Sequence, residues 1–436
     1  MQEFRGDIRS MLGMAIPLAF AELGWMSMSV VDNIMVGRLP DSAAAIGAAS
    51  IGSAFFYAFA IFGIGLMSGL DTLVSQACGA EDLPDARRSL VSGLVLAACA
   101  TPLLAGCILS TAPLLTAIGV TANVRAQAIG FTRVLVWSLP LLLVYTVFRR
   151  YLQGIHYVRP VTFALVSSNL INVLGNWILI YGNWGAPAMG IRGSALSTVI
   201  ARVYLAGVLL AAVALRDPAA LRGGRTDLVR IRRLLGLGLP AALTIAFEVG
   251  VFNLATVLAG KLNAVSLAAH TIALNAASVT YRVPLGIGSA AAVSVGRAIG
   301  AKDRRRARRA GWVALGITVL FEIVSALAFI LLPREIARVY TTDGRVISLA
   351  VNLFLIAAVF QIFDGLQTVA TGALRGLGDT RTAMLWNLVC YWFVGLPVGY
   401  WLCFVLGWGV VGLWDGLCLA LMLIGGGLLF TWAHDT

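Results

Sequence analysis

The stretch GAEDLPDARR at residues 79–88 returns as GAKDRRRARR at residues 300–309, an offset of 221 residues. Apolar runs flank both copies, so each copy reads as a polar loop between two hydrophobic segments. Three further pairs at nearly the same offset are residues 8–17 with 231–240, 37–39 with 260–262, and 153–159 with 375–381. Four matches at a nearly constant offset indicate that the chain holds two copies of one unit.

The composition identifies the environment of this unit. Of the 436 residues, 59% are apolar and only 12% are charged, about half the charged fraction of a soluble globular protein. A bilayer-spanning helix needs about 20 mostly apolar residues, so the chain has room for about a dozen spans. The composition excludes a soluble enzyme, a disordered chain and a disulfide scaffold. It predicts an all-α polytopic membrane protein.

Apolar runs and polar breaks together predict twelve transmembrane helices, six in each copy of the repeat. Because six is an even number, both copies have the same orientation and form a parallel repeat about an axis near the membrane normal. We therefore expect an N-terminal lobe at residues 1–215 (helices 1–6), a cytoplasmic linker at 216–233 and a C-terminal lobe at 234–436 (helices 7–12). The predicted spans are 10–36, 47–75, 89–111, 124–148, 161–182, 191–215, 234–259, 266–295, 311–332, 346–373, 383–405 and 410–432.

The basic residues set the orientation of these spans. The N-terminus and the even-numbered loops carry 22 Lys and Arg residues, whereas the odd-numbered loops carry 7. The positive-inside rule then places both termini in the cytoplasm. The net charge of +12 is thus explained by membrane topology, and we expect no nucleic-acid partner. The six cysteines lie in or beside apolar runs without metal-type spacing, which is typical of reduced core residues.

Acidic side chains inside spans are candidate functional groups, because each costs at least ~2.5–3.5 kcal/mol on insertion scales. Asp32 in helix 1 is accompanied by Asn172 and Asn176, which lie on one face of helix 5, and by Thr198 in helix 6. A carboxylate, two amides and a hydroxyl form an oxygen-rich set that suits a hard cation. The alternative is that these polar groups only join neighbouring helices.

Glu248 in helix 7 and Asp364 in helix 10 are the corresponding acids of the second copy. Buried carboxylates are suited to bind a proton or a small cation. The alternative is a structural ion pair, for instance with Arg282. We interpret Glu322 in helix 9 as a structural residue or as one whose side chain snorkels toward the membrane surface.

A third set of residues could line a cavity for flat cationic compounds through cation–π contacts. Packing or contact with lipid is the alternative for each aromatic member. These cavity candidates are Glu22, Trp25, Phe56, Tyr145, Phe247, Tyr281 and Phe360.

Several motifs together resemble the multidrug and toxic compound extrusion (MATE) family, in its bacterial NorM-like branch, over essentially the whole chain. No single motif is specific. The matching stretches are VDNIMVG at 31–37, QACGAED at 76–82, and residues 172–177, 240–248, 268–275, 364–380 and 391–400.

The resemblance implies two six-helix lobes in an outward-open V that export organic cations by antiport with Na⁺ or H⁺. Matched by position, Glu248 and Asp364 are the cation-coupling acids of the C-terminal lobe, and Asp32 is that of the N-terminal lobe, with Asn172, Asn176 and Thr198. Phe360 stands where related members can have Tyr, which leaves the coupling ion open.

The implied partners are small organic cations and membrane lipids, with no cofactor and no metal other than Na⁺. The implied protein is a monomer of the bacterial inner membrane and not an enzyme. Two alternatives stay open. A lipid-linked oligosaccharide flippase of the same superfamily would have a more cationic centre, and a membrane-embedded transferase would have paired metal-binding acids.

Overall fold

The structure is a computed structural model that describes residues 2–39, 42–117, 121–222 and 227–435. Those residues form helices and connecting turns, without a strand. Eleven of the described helices or helix runs are long and apolar enough to cross a membrane, and a pair bent by 44° adds a twelfth if it is counted as one span. The predicted fold class is therefore confirmed.

The helices are numbered here in chain order. Those of the first half are α1 (Gln2–Val36), α2 (Ser42–Leu66), α3 (Gly69–Gly79), α4 (Leu83–Leu109), α5 (Ala112–Ala117), α6 (Ala122–Leu135), α7 (Ser138–Gly154), α8 (Arg159–Tyr181) and α9 (Ile191–Arg216). Those of the second half are α10 (Leu228–Leu262), α11 (Ala264–Gly300), α12 (Arg304–Leu331), α13 (Pro333–Tyr340), α14 (Gly344–Leu377), α15 (Arg381–Val405) and α16 (Val410–Asp435).

Three of the predicted spans are not single regular helices. The second span is interrupted at Met67 and Ser68, between α2 and α3. The fourth span bends between α6 and α7, where Pro140 has no N–H to donate to the carbonyl of Val136, one turn earlier. The eleventh span, α15, widens into π-helical turns over Leu388–Gly395 and Trp401–Val405. Such wide turns often accompany functional sites.

The chain folds into two compact units. The N-unit is Phe20–Ala242, and the C-unit is Met1–Ala19 together with Leu243–Thr436. The boundaries fall inside α1 and α10, two residues after Pro17 and Pro240, and not in the 216–233 linker between the sequence repeats. A proline inside a helix removes a backbone hydrogen bond and bends the helix. The part of α1 before Pro17 therefore belongs to the C-unit, which consists mainly of the second repeat. The part of α10 before Pro240 belongs to the N-unit, which consists mainly of the first repeat.

Close backbone contacts hold the first part of α10 in the N-unit. A Cβ added at Gly238 would lie 2.0 Å from the carbonyl oxygen of Leu66, and one added at Gly69 would lie 2.9 Å from that of Leu234. Only glycine permits such an approach of two backbones. The guanidinium of Arg230 forms an ion pair with Asp85.

The first part of α1 is held in the C-unit in the same way. A Cβ added at Gly286 of α11 would lie 2.5 Å from the backbone nitrogen of Ala19. Asp7 forms an ion pair with Arg309 of α12 at 3.3 Å. Within the C-unit, α11 and α14 form the largest helix–helix contact.

The repeat recurs in the backbone. Glu81 and Lys302, which correspond at an offset of 221, both adopt left-handed conformations, with φ of 59° and 58°. The next residues, Asp82 and Asp303, each accept a hydrogen bond from the backbone N–H three residues on, at 2.9 Å in both cases. These carboxylates cap the N-termini of α4 and α12. The same turn is therefore built twice.

Candidate functional site

Asp32 of α1 lies in the N-unit beside the polar face of α8. Its Oδ1 accepts a hydrogen bond of 2.6 Å from the side-chain amide of Asn176, which also donates to Asn172 at 3.3 Å. The hydroxyl of Thr198 lies 3.5 Å from the other carboxylate oxygen. Both asparagines are fully buried. The structure thus brings together all four residues that the sequence grouped.

A cavity of about 90 Å³ opens beside Asp32 within the N-unit. Drug-sized ligands occupy pockets of about 300–1,000 Å³, whereas one water takes about 30 Å³. In this conformation the cavity therefore has room for a small ion and a few waters. Its lining includes Asp32, Trp25, Tyr57, Ser53, Ser194 and Thr198.

The carboxylate of Glu22, also in the N-unit, forms an ion pair with Arg149 of α7. Of the aromatic candidates in this unit, Trp25 lines the cavity and stacks on Tyr145 at a ring distance of 6.0 Å. Tyr145 and Phe56 are 2% and 0% exposed, so both are packed inside the protein here.

Arg202 of α9 is a buried neighbour of this site that sequence reasoning did not assign. Its guanidinium lies over the rings of Trp25, Phe56 and Tyr57, at 5.9, 4.9 and 5.8 Å from their centroids. The signal available in the sequence was a basic residue inside an apolar span, one helical turn after Thr198.

Glu248 of α10 is the centre of a hydrogen-bond network in the C-unit. The hydroxyl of Tyr281 donates to one carboxylate oxygen at 3.1 Å, and the side-chain amide of Gln367 donates to the other at 3.5 Å. Gln367 also donates to Asn387 at 3.2 Å and accepts from the hydroxyl of Tyr391 at 3.3 Å. The sequence analysis assigned no role to Gln367, Asn387 or Tyr391, because no spacing within one helix predicts that α10, α14 and α15 meet here.

Asp364 of α14 is close enough to Glu248 and Glu322 for electrostatic interaction with both carboxyl groups. Its side chain is 8% exposed, and its Oδ1 is buried without a hydrogen-bond partner. Glu322 is 1% exposed and packs against Gly365. Among the described residues no ion pair joins Arg282 to any of these acids, so the predicted alternative of a structural ion pair is not what the structure contains.

The two remaining aromatic candidates of the C-unit are Phe360, which is buried among other rings, and Phe247, which is half-buried. The ring of Phe360 contacts Phe252 and Trp414, with centroids 5.9 and 5.4 Å apart, so no hydroxyl stands at this position. The backbone carbonyl of Phe247 accepts a hydrogen bond from Trp392 at 3.2 Å.

Each unit therefore offers carboxylate oxygens to a proton or a small cation. The orphaned Oδ1 of Asp364 and the equally unpartnered Oδ1 of Asn176 are buried acceptors. A buried acceptor without a partner is energetically unfavourable, and a bound proton or cation would satisfy it. The residues present fit the chemistry of a hard cation or a proton.

Comparison with known proteins places this arrangement in a family. The profile of the MatE family matches residues 17–178 and again residues 240–401, two segments that begin and end 223 residues apart. "Probable multidrug resistance protein NorM" of Mesorhizobium japonicum is 36% identical over 98% of this chain and 94% of its own length. "Multidrug resistance protein NorM" of Burkholderia vietnamiensis is 39% identical over 96% of this chain and 92% of its own length.

Solved structures agree on the fold. The crystal structure of the eukaryotic MATE transporter AtDTX14 matches with a TM-score of 0.86 at 22% identity, over 98% of this chain and 96% of that one. A mutant of the Vibrio cholerae MATE transporter VcmN matches with a TM-score of 0.90 at 18% identity, over 100% and 98%. Because the family profile matches both repeats and the relatives match nearly end to end, the chain belongs to the MatE family.

Proposed function

We propose that this protein is a secondary active multidrug efflux transporter that exports organic cations by antiport with Na⁺ or H⁺. One observation carries the proposal. Among the described residues, Asp32 in the N-unit and Glu248 in the C-unit are half-buried acids that accept hydrogen bonds from neutral donors and not from basic side chains. Asp364 in the C-unit is a buried acid with an oxygen that has no hydrogen-bond partner. Such a carboxylate gains from binding a proton or a small cation, as ion coupling requires.

The size of the Asp32 cavity supports different sites for the coupling ion and for the organic cation. At about 90 Å³, it suits a small ion and not a drug-sized cation. Binding of the coupling ion at Asp32 can then change the equilibrium between two conformations only to the extent that the two conformations differ in their affinity for the ion. Coupling is reciprocal, so the ion lowers substrate affinity by the same factor by which substrate lowers ion affinity.

We further propose that the chain lies in the bacterial inner membrane with both termini in the cytoplasm. The asymmetry of 22 basic residues against 7 supports this orientation. Reporters fused after Leu221 and at the C-terminus should both give cytoplasmic signals. A periplasmic signal at either position contradicts the orientation.

A flippase for lipid-linked oligosaccharides would have to bind a pyrophosphate, and the acids Asp32, Glu248 and Asp364 disfavour that anion. The relatives are named as multidrug resistance proteins, which supports drug efflux over a flippase or a transferase.

The deciding experiment is efflux of a cationic dye such as ethidium from proteoliposomes, with a Na⁺ gradient or a pH gradient imposed one at a time. We expect one of the two gradients to drive efflux, and Glu248→Gln to abolish that response. Efflux that needs neither gradient, or no efflux of any cationic dye, contradicts the proposal.

A further inference from the structure

Arg202 is an unusual arginine for a membrane-spanning helix. Its side chain is 2% exposed, and its terminal nitrogens donate to hydroxyls, one to Ser138 and the other to Tyr57 at 3.0 Å. Arg149 and Arg150, which lie in the same unit, each bind a carboxylate instead. A buried charge is energetically unfavourable unless other groups compensate it. Groups other than a directly bound carboxylate therefore have to stabilise the charge of Arg202.

Part of that compensation is aromatic. The guanidinium carbon lies 4.9–5.9 Å from the ring centroids of Trp25, Phe56 and Tyr57, which together are called the aromatic cage of Arg202 below. All three distances lie within the range of cation–π attraction. A group of aromatic rings around one cation is also the arrangement with which proteins bind organic ammonium ligands. In this protein the chain itself supplies the cation.

Arg202 also shares two of these rings with the Asp32 cavity. Trp25 and Tyr57 belong at the same time to the cage of Arg202 and to the wall of the Asp32 cavity. Thr198, which lines the cavity, is one helical turn before Arg202 on α9. The positive charge of Arg202 therefore contacts the aromatic wall of the cavity and is close enough to Asp32 for an electrostatic attraction between the two side chains.

We propose that Arg202 is a built-in cation with two effects. It fills the aromatic cage, so that this cage takes no organic cation from outside. It also balances the charge of Asp32, so that the cavity binds the coupling ion weakly enough to release it. Arg202 is thus a positioning residue that sets ion affinity without touching the ion. The second effect rests on the proposed function of Asp32.

The first test measures ion affinity on the purified full-length protein, by calorimetric titration with Na⁺ and by proton uptake. Arg202→Gln should bind the coupling ion about tenfold more tightly, because one positive charge within about two helical turns is removed at an effective dielectric near 20. Arg202→Lys retains the charge and should keep the wild-type affinity. In an Asp32→Asn background, Arg202→Gln should have no effect on ion affinity.

The second test probes the cage without any transport or ion measurement. Arg202→Ala leaves a cavity lined by three aromatic rings, and millimolar guanidinium or tetramethylammonium should occupy it. We expect either cation to raise the melting temperature of Arg202→Ala by several degrees, with saturation. Wild type and Arg202→Lys, whose cages are filled, should show no such rise. Guanidinium should also restore the wild-type ion affinity of Arg202→Ala.

The outcomes separate the two effects. Unchanged ion affinity in a folded Arg202→Gln overturns charge balancing by Arg202. If Asp32→Asn alone leaves ion binding intact, the proposed function of Asp32 fails, but the cage test still decides whether the rings bind a cation. No melting shift of Arg202→Ala with either cation overturns the filled cage. Should Arg202→Ala not fold alone, recovery of folded protein by expression with guanidinium or tetramethylammonium supports the cage, and no recovery with either overturns it.

Discussion

Asp7 and Arg230 occupy equivalent positions in the two repeats, 223 residues apart, and carry opposite charges. Each nevertheless forms an ion pair that ties the first part of its helix into its unit. Asp7 pairs with Arg309 in the C-unit, and Arg230 pairs with Asp85 in the N-unit. Both ion pairs thus start from the same position of the repeat with opposite polarity, although their partners, Asp85 and Arg309, are three residues apart in the alignment of the two copies.

The two ion pairs should differ in strength. Arg230 also donates to the carbonyl of Asp85 at 3.0 Å and to Ser89 at 2.9 Å, and its side chain is 19% exposed. We expect Arg230→Ala to cost about 1.5–3 kcal/mol of unfolding free energy, as charged hydrogen bonds do. Asp7→Ala should cost at most about 1 kcal/mol, because its pair is more exposed. Denaturation of the two variants in detergent measures both losses of unfolding free energy. Equal losses would contradict a stronger ion pair at Arg230 than at Asp7.

Charge reversal is a sharper test of the same contact. Arg230→Asp places two acids together at Asp85, and Asp85→Arg places two guanidinium groups together. Each single variant should lose stability, and the double variant should recover most of it. A double variant no more stable than the singles shows that the pair is not the source of the effect.

A pair of glycines in α10 tests the backbone contact that places this segment in the N-unit. Gly238→Ala should cost about 3 kcal/mol or more, because its Cβ would lie 2.0 Å from the backbone oxygen of Leu66. Gly236→Ala is the matched control, since nothing lies within 4 Å of its added Cβ. The control should be neutral or stabilising by up to about 1 kcal/mol. The melting temperatures of the two variants test this prediction. Similar melting temperatures would argue against a close backbone contact between Gly238 and Leu66.

Asp217, just after the end of α9, makes stability depend on pH. Burial raises its pKa, but hydrogen bonds from Arg87 and Tyr151 outweigh this and hold the pKa of Asp217 below its ordinary value. Because the pKa of Asp217 is lower in the folded protein than in the unfolded chain, its charge stabilises the fold above the unfolded pKa of about 3.9. This stabilisation is lost as the pH falls through the folded-state pKa.

The difference in unfolding free energy between wild type and Asp217→Asn should therefore be about 1.5–3 kcal/mol at pH 7, and it should shrink below about pH 4. Thermal melts from pH 3 to 7 measure it. A difference that does not change with pH would falsify the role of the Asp217 charge.

The acids of the C-unit should be needed for coupling and not for folding. Glu248→Gln retains an oxygen that accepts from Tyr281, and Asp364→Asn removes a buried charge. We expect each to reduce gradient-driven dye efflux at least about tenfold while the amount of folded protein stays near wild type. Efflux assays measure the loss of coupling, and size-exclusion profiles measure the amount of folded protein. Wild-type efflux in both variants would mean that the acids are structural.

Asp32 should act in ion-driven release of substrate. Asp32→Asn is expected to bind organic cations but to lose the fall in substrate affinity that Na⁺ or H⁺ produces, because a neutral amide gains little from the ion. Asn172→Ala should weaken the ion response more than it weakens substrate binding, since Asn172 reaches Asp32 through Asn176. Substrate affinity with and without the ion measures both. A full ion response in Asp32→Asn moves the coupling role to Glu248 and Asp364.

The sequence by itself determined the membrane class, the number of spans and the duplication. Apolar runs have to reach a minimum length to cross a bilayer, and a repeated loop such as 79–88 builds the same turn wherever it recurs. It also grouped Asp32 with Asn172, Asn176 and Thr198, because acids and amides are conspicuous in an apolar span and side chains four residues apart share a helix face.

Only the tertiary structure decided which partner each polar group has. The cage around Arg202 draws on residues of α1, α2 and α9, and no spacing within one helix predicts which helices meet. The same holds for Gln367, Asn387 and Tyr391 around Glu248. The assignment of the first parts of α1 and α10 to their units depends on backbone contacts at Gly286 and Gly238, which packing in three dimensions determines and local sequence does not.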